Sequence, residues 1–192
     1  MRLFVAIDVP EDVRASLAGL VAKLRPTCRS ARWVRIEGIH VTLKFIGEIA
    51  PEKVGNIRAA LSAVAERPPI PIVFRGLGYF PNERRPRVLW AGVEAGPELA
   101  RLASEVDTAL HPLGVAREER EYSPHLTLAR FKEPRGLEAL RTAIAKAGPL
   151  EFGATTAREF HLYQSVLKPG GAEYTRVATF SFSELIAGRK PE

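Results

Sequence analysis

The chain opens with Arg2-Leu3-Phe4-Val5-Ala6-Ile7-Asp8, an apolar run closed by a carboxylate, which is the pattern of a buried strand. Val9-Pro10-Glu11-Asp12 then starts a helical pattern that runs to about Leu24 and is stopped by Pro26. Ala31 to Ile36 and Ile39 to Ile46 alternate at period two on either side of Glu37-Gly38, so both are expected as strands. From Pro51 to Glu66 the apolar residues Val54, Ile57, Leu61 and Val64 fall at helical spacing. Two further strands are expected at Ile72 to Phe80 and Arg87 to Val93. The basic loop Pro81 to Pro86 joins them, and their closeness in sequence favours antiparallel pairing.

The pattern repeats. Arg2-Leu3-Phe4-Val5-Ala6 resembles Arg87-Val88-Leu89-Trp90-Ala91 at an offset of 85 residues, and each is followed by Pro-Glu and a helix. At the same offset His40-Val41-Thr42-Leu43 matches His125-Leu126-Thr127-Leu128. A helical segment follows each motif, Pro51 to Glu66 and Gly136 to Ala147, and then a strand, Ile72 to Phe80 or Arg158 to Val166. The expectation is a single domain over residues 1–192 made of two related lobes, with 184–192 as a poorly ordered tail. A duplication of this kind tends to set equivalent elements about a pseudo-two-fold axis, which brings the two motif strands together across a shared cleft.

Composition narrows the class. A chain of 192 residues that is 46% hydrophobic and 26% charged is globular rather than disordered. No stretch reads as a membrane span or signal peptide, and a lone Cys28 allows no internal disulfide, so a reducing, cytoplasmic setting is expected. Four scattered histidines and three aspartates offer little for a metal site, and none is expected. The formal net charge of +6 makes nucleic acid a candidate partner.

On a strand, residues i and i+2 share a face, so His40 projects with Thr42, and His125 with Thr127. Each strand thus offers an imidazole able to titrate near neutrality beside a hydroxyl donor. In-line displacement at phosphorus needs a base on one side and an acid on the other, each contributing on the order of 10²- to 10⁴-fold. Two opposed histidines supply both. His111, before Pro112, and His161 lack the motif and are expected to be structural or surface residues.

The paired motifs resemble those of the 2H phosphoesterase superfamily. The opening Arg2 to Ile7, Trp33-Val34, His40 to Gly47, Arg87 to Trp90 and Ser123 to Arg130 resemble more closely the RNA 2',3'-cyclic phosphodiesterases, historically called 2'-5' RNA ligases. The resemblance spans nearly the whole chain. It implies a bilobal α+β fold in which two antiparallel sheets line a cleft with helices outside. It also implies no cofactor, and hydrolysis of an RNA 2',3'-cyclic phosphate to a 2'-phosphate. By position, His125 would be the base that activates water and His40 the acid that protonates the departing 3' oxygen. Thr42 and Thr127 would hold the phosphate oxygens.

Arg130 matches an arginine extension of the family motif, but simple alternation turns it away from the His125 face unless the strand twists or ends. Lys44 falls on the His40 and Thr42 face by alternation and is a further phosphate candidate. Phe45, Phe80 and Tyr163 are candidates for stacking on a nucleobase. The clusters Arg84, Arg85, Arg87 and Arg117, Arg120 are candidates for tracking RNA phosphates. Lys168-Pro169-Gly170-Gly171 is expected as a hairpin turn. Two other functions compete: 2'-5' ligation of RNA halves such as those of tRNA, and binding of RNA ends without chemistry. Small cyclic nucleotides are alternative substrates, and a monomer is the simplest assembly.

Overall fold

A computed structural model describes residues 1–133, 135–169 and 171–183. The expected tail lies outside the described residues, as does Gly170 of the expected turn. Nine strands and four α-helices are described: β1 Arg2–Asp8, α1 Glu11–Leu24, β2 Arg32–Trp33, β3 His40–Glu48, α2 Val54–Val64, β4 Ile70–Phe80 and β5 Val88–Ala95. They continue with α3 Pro97–Leu110, β6 His125–Arg130, α4 Glu138–Ala147, β7 Glu151–Ala157, β8 Glu159–Lys168 and β9 Gly171–Ser181. They form two antiparallel sheets, ordered β3-β1-β8-β9 and β2-β6-β5-β4-β7.

The helices cover the sheets because their apolar stripes match the helical period. α1 buries Val13, Leu17, Leu20, Val21 and Leu24 and lies on β7, while α3 buries Leu99, Leu102, Ala103, Val106 and Leu110 and lies on β3. Glu11 and Asp12 at the start of α1 and Lys23 near its end complement the helix dipole. Close approach of α1 to its sheet depends on Gly153, whose φ is +135° and where a Cβ would stand 2.9 Å from a Val13 methyl.

The repeat is visible in the strand order, since β3-β1-β8 and β6-β5-β4 correspond at the sequence offset. The two sheets do not coincide with the two sequence halves. β4 from the first half pairs with β5, and β8 from the second half pairs with β1, so β2 and β4 of the first half join the second sheet while β8 and β9 of the second half join the first. The expected strand at Ala31–Ile36 shrinks to Arg32–Trp33. Beyond it the Val34 N–H still reaches the Leu128 carbonyl at 3.0 Å, but a 3₁₀ turn at Ile36–Gly38 then lifts the chain toward β3.

Candidate active site

β3 lies at the edge of the first sheet, and β6 comes within 8 Å of it at the near side of the second. The register shows how each motif is displayed. His40 lies opposite Asp8 and Thr42 opposite Ala6, while Val41 and Leu43 are buried in the core. His125 lies opposite Gly92 and Thr127 opposite Trp90, with Leu126 and Leu128 fully buried. Each histidine and threonine therefore share the face of their strand opposite to its buried residues.

Immediately after each motif the strand bulges. Thr42 pairs with Ala6 but Lys44 pairs with Val5, and Thr127 pairs with Trp90 but Ala129 pairs with Leu89, so one residue in each strand is unmatched. The bulge reverses the alternation beyond it. Lys44 consequently does not share the face of His40 and Thr42: it is 5% exposed and donates to Asp107 Oδ1 at 2.6 Å and the Ala116 carbonyl at 2.7 Å. Its expected role at the phosphate is overturned by this burial. The same shift brings Arg130, opposite Val88, back to the His125 and Thr127 face, where it is exposed. Phe45 holds the equivalent place in β3 and is 68% exposed.

His125 is set by its hydrogen bond. Its Nδ1 lies 2.8 Å from the Ser123 carbonyl, an acceptor only, so Nδ1 carries the proton and Nε2 keeps a free lone pair. The Phe80 ring meets this imidazole edge-on at 4.8 Å. His40 is packed differently. Phe4 stacks on it at 4.8 Å, Tyr163 lies nearly parallel at 5.5 Å, and Tyr174 closes edge-on at 4.8 Å. Burial pushes the His40 pKa down to about 4, against the opposing pull of the Asp8 carboxylate and a backbone hydrogen bond at Ile39.

Asp8 is held by the Tyr163 hydroxyl and by Arg176, each at 2.5 Å, and its other contact is the buried His161 at 3.5 Å. His161 also meets the Thr179 hydroxyl at 3.0 Å, which fits the structural role expected of it. His111, likewise, faces the Val115 carbonyl at 3.3 Å. Of the three stacking candidates, Phe45 alone offers an open ring; Tyr163 and Phe80 support the two histidines. Among the basic clusters, Arg117 pairs with Asp107 at 3.7 Å and Arg87 donates to the Lys132 carbonyl, whereas Arg84 and Arg85 stay exposed in a loop organised by Asn82.

Phe4, Asp8, Tyr122 and Tyr174 escaped the sequence reading. Tyr122 donates to the Thr42 carbonyl at 3.0 Å, tying the segment before β6 to β3. Only Asp8 carried a signal, as a carboxylate ending a buried strand. Among the described residues no group of three or more His, Cys, Asp or Glu side chains is gathered to hold a metal ion, and no helix is long and apolar enough to cross a membrane.

Two antiparallel sheets, each with a strand carrying a histidine and, two residues on, a threonine, define a duplicated α+β protein. The chain belongs to the 2'-5' RNA ligase superfamily, whose family model matches residues 9–168. The RNA 2',3'-cyclic phosphodiesterase of Archaeoglobus fulgidus is 37% identical over 180 residues, covering 94% of this chain and 99% of that protein. Its counterpart in Thermus thermophilus is 36% identical over 189 residues, covering 94% and 90%. Among solved structures, TT0787 of Thermus thermophilus matches with a TM-score of 0.81 at 34% identity, covering 96% of this chain and all of that one. E. coli LigT complexed with 3'-AMP matches with a TM-score of 0.78 at 25% identity, covering 95% and 98%.

Proposed function

We propose that the protein hydrolyses the 2',3'-cyclic phosphate at the end of an RNA to a 2'-phosphate, with His125 as base and His40 as acid. The observation that carries this reading is the matched pair of motif strands, each presenting a histidine and, two residues on, a threonine on the face opposite its buried residues. Relatives of similar length bearing the name RNA 2',3'-cyclic phosphodiesterase supply the substrate.

The division of roles is the one the family resemblance implies, and the two environments accommodate it. His125 has its Nδ1 proton committed to Ser123, so Nε2 is the atom that takes a proton from water as its oxygen attacks phosphorus. The bond from phosphorus to the 3' oxygen breaks on the far side, and that oxygen takes its proton from His40. A depressed pKa makes protonated His40 a strong donor, and the negative phosphate entering beside it favours the protonated form that burial opposes. Thr42 and Thr127 donate hydroxyl hydrogen bonds to the non-bridging oxygens, where charge gathers in the transition state, and Arg130 adds a fixed positive charge. Phe45 stacks on the terminal base. Exchange with solvent then takes the proton from His125 and returns one to His40.

The cleft is assembled from one chain, which suits a monomer, and the single buried thiol of Cys28 suits the reducing cytoplasm. The test is phosphorus NMR of a short RNA bearing a terminal 2',3'-cyclic phosphate, incubated with the protein in excess EDTA. A 2'-phosphate product is expected. A 3'-phosphate would reverse the leaving group, and an unchanged cyclic phosphate on bound RNA would favour an end-binding protein.

A further inference from the structure

β3 and β6 carry the two histidines, yet they belong to different sheets, and each forms ladders only with other strands. Their relative position must be set by something else. At the bulge in β6 the inward residue is Ala129, small and buried, whereas the equivalent residue in β3 is Lys44, equally buried. A buried ammonium is costly unless its hydrogen bonds are met. Here they are met by the second motif's approach segment and by α3: Lys44 Nζ donates to the Ala116 carbonyl at 2.7 Å and to Asp107 Oδ1 at 2.6 Å. Asp107, on α3, in turn accepts the Glu118 N–H at 3.0 Å and faces Arg117 at 3.7 Å. Burial works to raise the Asp107 pKa, and the hydrogen bonds from Lys44 and Glu118 with the nearby positive charges outweigh it, so the carboxylate stays ionised. The segment so held runs on to Tyr122, bonded to the Thr42 carbonyl, and to Ser123, whose carbonyl orients His125.

We propose that the Lys44–Asp107 pair is a positioning device for catalysis, clamping residues 116–118 to β3 and thereby setting His125 against His40. The inference rests on the phosphodiesterase reading for its kinetic consequence but not for its structural one. Neither residue touches the substrate; both act through the segment that ends at His125.

The decisive variant is Lys44→Met combined with Asp107→Leu, because an apolar pair of similar size avoids the stranded buried charge that either single change leaves. The melting temperature of this double variant is expected to stay near that of the parent. KM on a cyclic-phosphate RNA should stay within about threefold while kcat falls on the order of 10²-fold, the scale of a small misplacement of a reacting group. In nitrogen-15 NMR the His125 Nδ1–H resonance should shift. Wild-type kcat, or an unmoved His125 resonance, overturns the proposal. If the parent protein does not turn over RNA ends, the phosphodiesterase reading fails, and the His125 resonance alone then decides whether the clamp positions that ring. Should the double variant not fold, Lys44→Gln combined with Asp107→Asn, a neutral polar pair that strands no buried charge, is read by the same two signals.

Discussion

Three aromatic rings, Phe4, Tyr163 and Tyr174, stand around His40 where water would otherwise solvate an imidazolium. Tyr174 comes from β9, on the far side of its sheet from β3, so it reaches His40 because the sheet curls. Removing it with Tyr174→Ala should re-admit water and raise the His40 pKa from about 4 toward 6.5. An NMR titration of the His40 ring reads this directly, and an unmoved pKa would show that the other rings account for its burial. The same depression has a consequence for stability. A histidine whose folded pKa lies below its unfolded value stabilises the fold fully above the unfolded pKa and loses that contribution as pH falls toward the folded one. Between pH 6.5 and 4, wild-type protein should therefore lose stability that His40→Gln does not, by up to about 3 kcal/mol. Urea denaturation across this pH range checks it, and parallel curves for the two proteins would contradict it.

At the scale of elements, the bulges decide what each motif strand presents. Without them Lys44 would face the cleft and Arg130 the core. A bulge leaves no mark in residue type, and this is why alternation placed both residues on the wrong faces while placing His40, Thr42, His125 and Thr127 on the right ones. The helices were legible because Ile57, Leu61 and Val64, or Leu99, Leu102 and Val106, repeat at the helical period whatever they pack against. β2 was overread because a local turn at Ile36–Gly38 competes with its alternation. The second sheet adds a packing constraint of its own. A Cβ at Gly78 would overlap the Trp90 ring, which lies beside Thr127 across the β5–β6 ladder. Gly78→Ala should cost about 1–3 kcal/mol by overpacking and displace Trp90. Unchanged denaturation and unchanged tryptophan fluorescence would show that the ring can move aside freely.

For the molecule as a whole, duplication and exchange of strands make the two halves interdependent. The repeat of motif, spacing and following helix was plain in the sequence. The exchange was only half legible, because the β4–β5 pair follows from closeness in sequence whereas the pairing of β8 with β1 joins strands far apart along the chain. Tyr174 and the cross-lobe bond from Tyr122 to Thr42 were hidden for the same reason. It follows that residues 1–85 alone lack β5 and β7, both partners of β4, and β8 and β9, both strands that extend the first sheet beyond β1. That fragment should give little ordered structure by circular dichroism and amide exchange, and a cooperatively folded fragment would contradict the interdependence.

The central claim is that one histidine from each lobe acts at a single phosphorus atom. The most direct measurement is single-turnover hydrolysis of a cyclic-phosphate RNA, in EDTA, by His40→Ala and His125→Ala proteins whose folding has been verified by NMR. Each loss should lower the rate by at least about 10²-fold, and removal of both should add little to the larger single effect, because the two act in one step. Near-wild-type turnover by either folded variant would contradict the account.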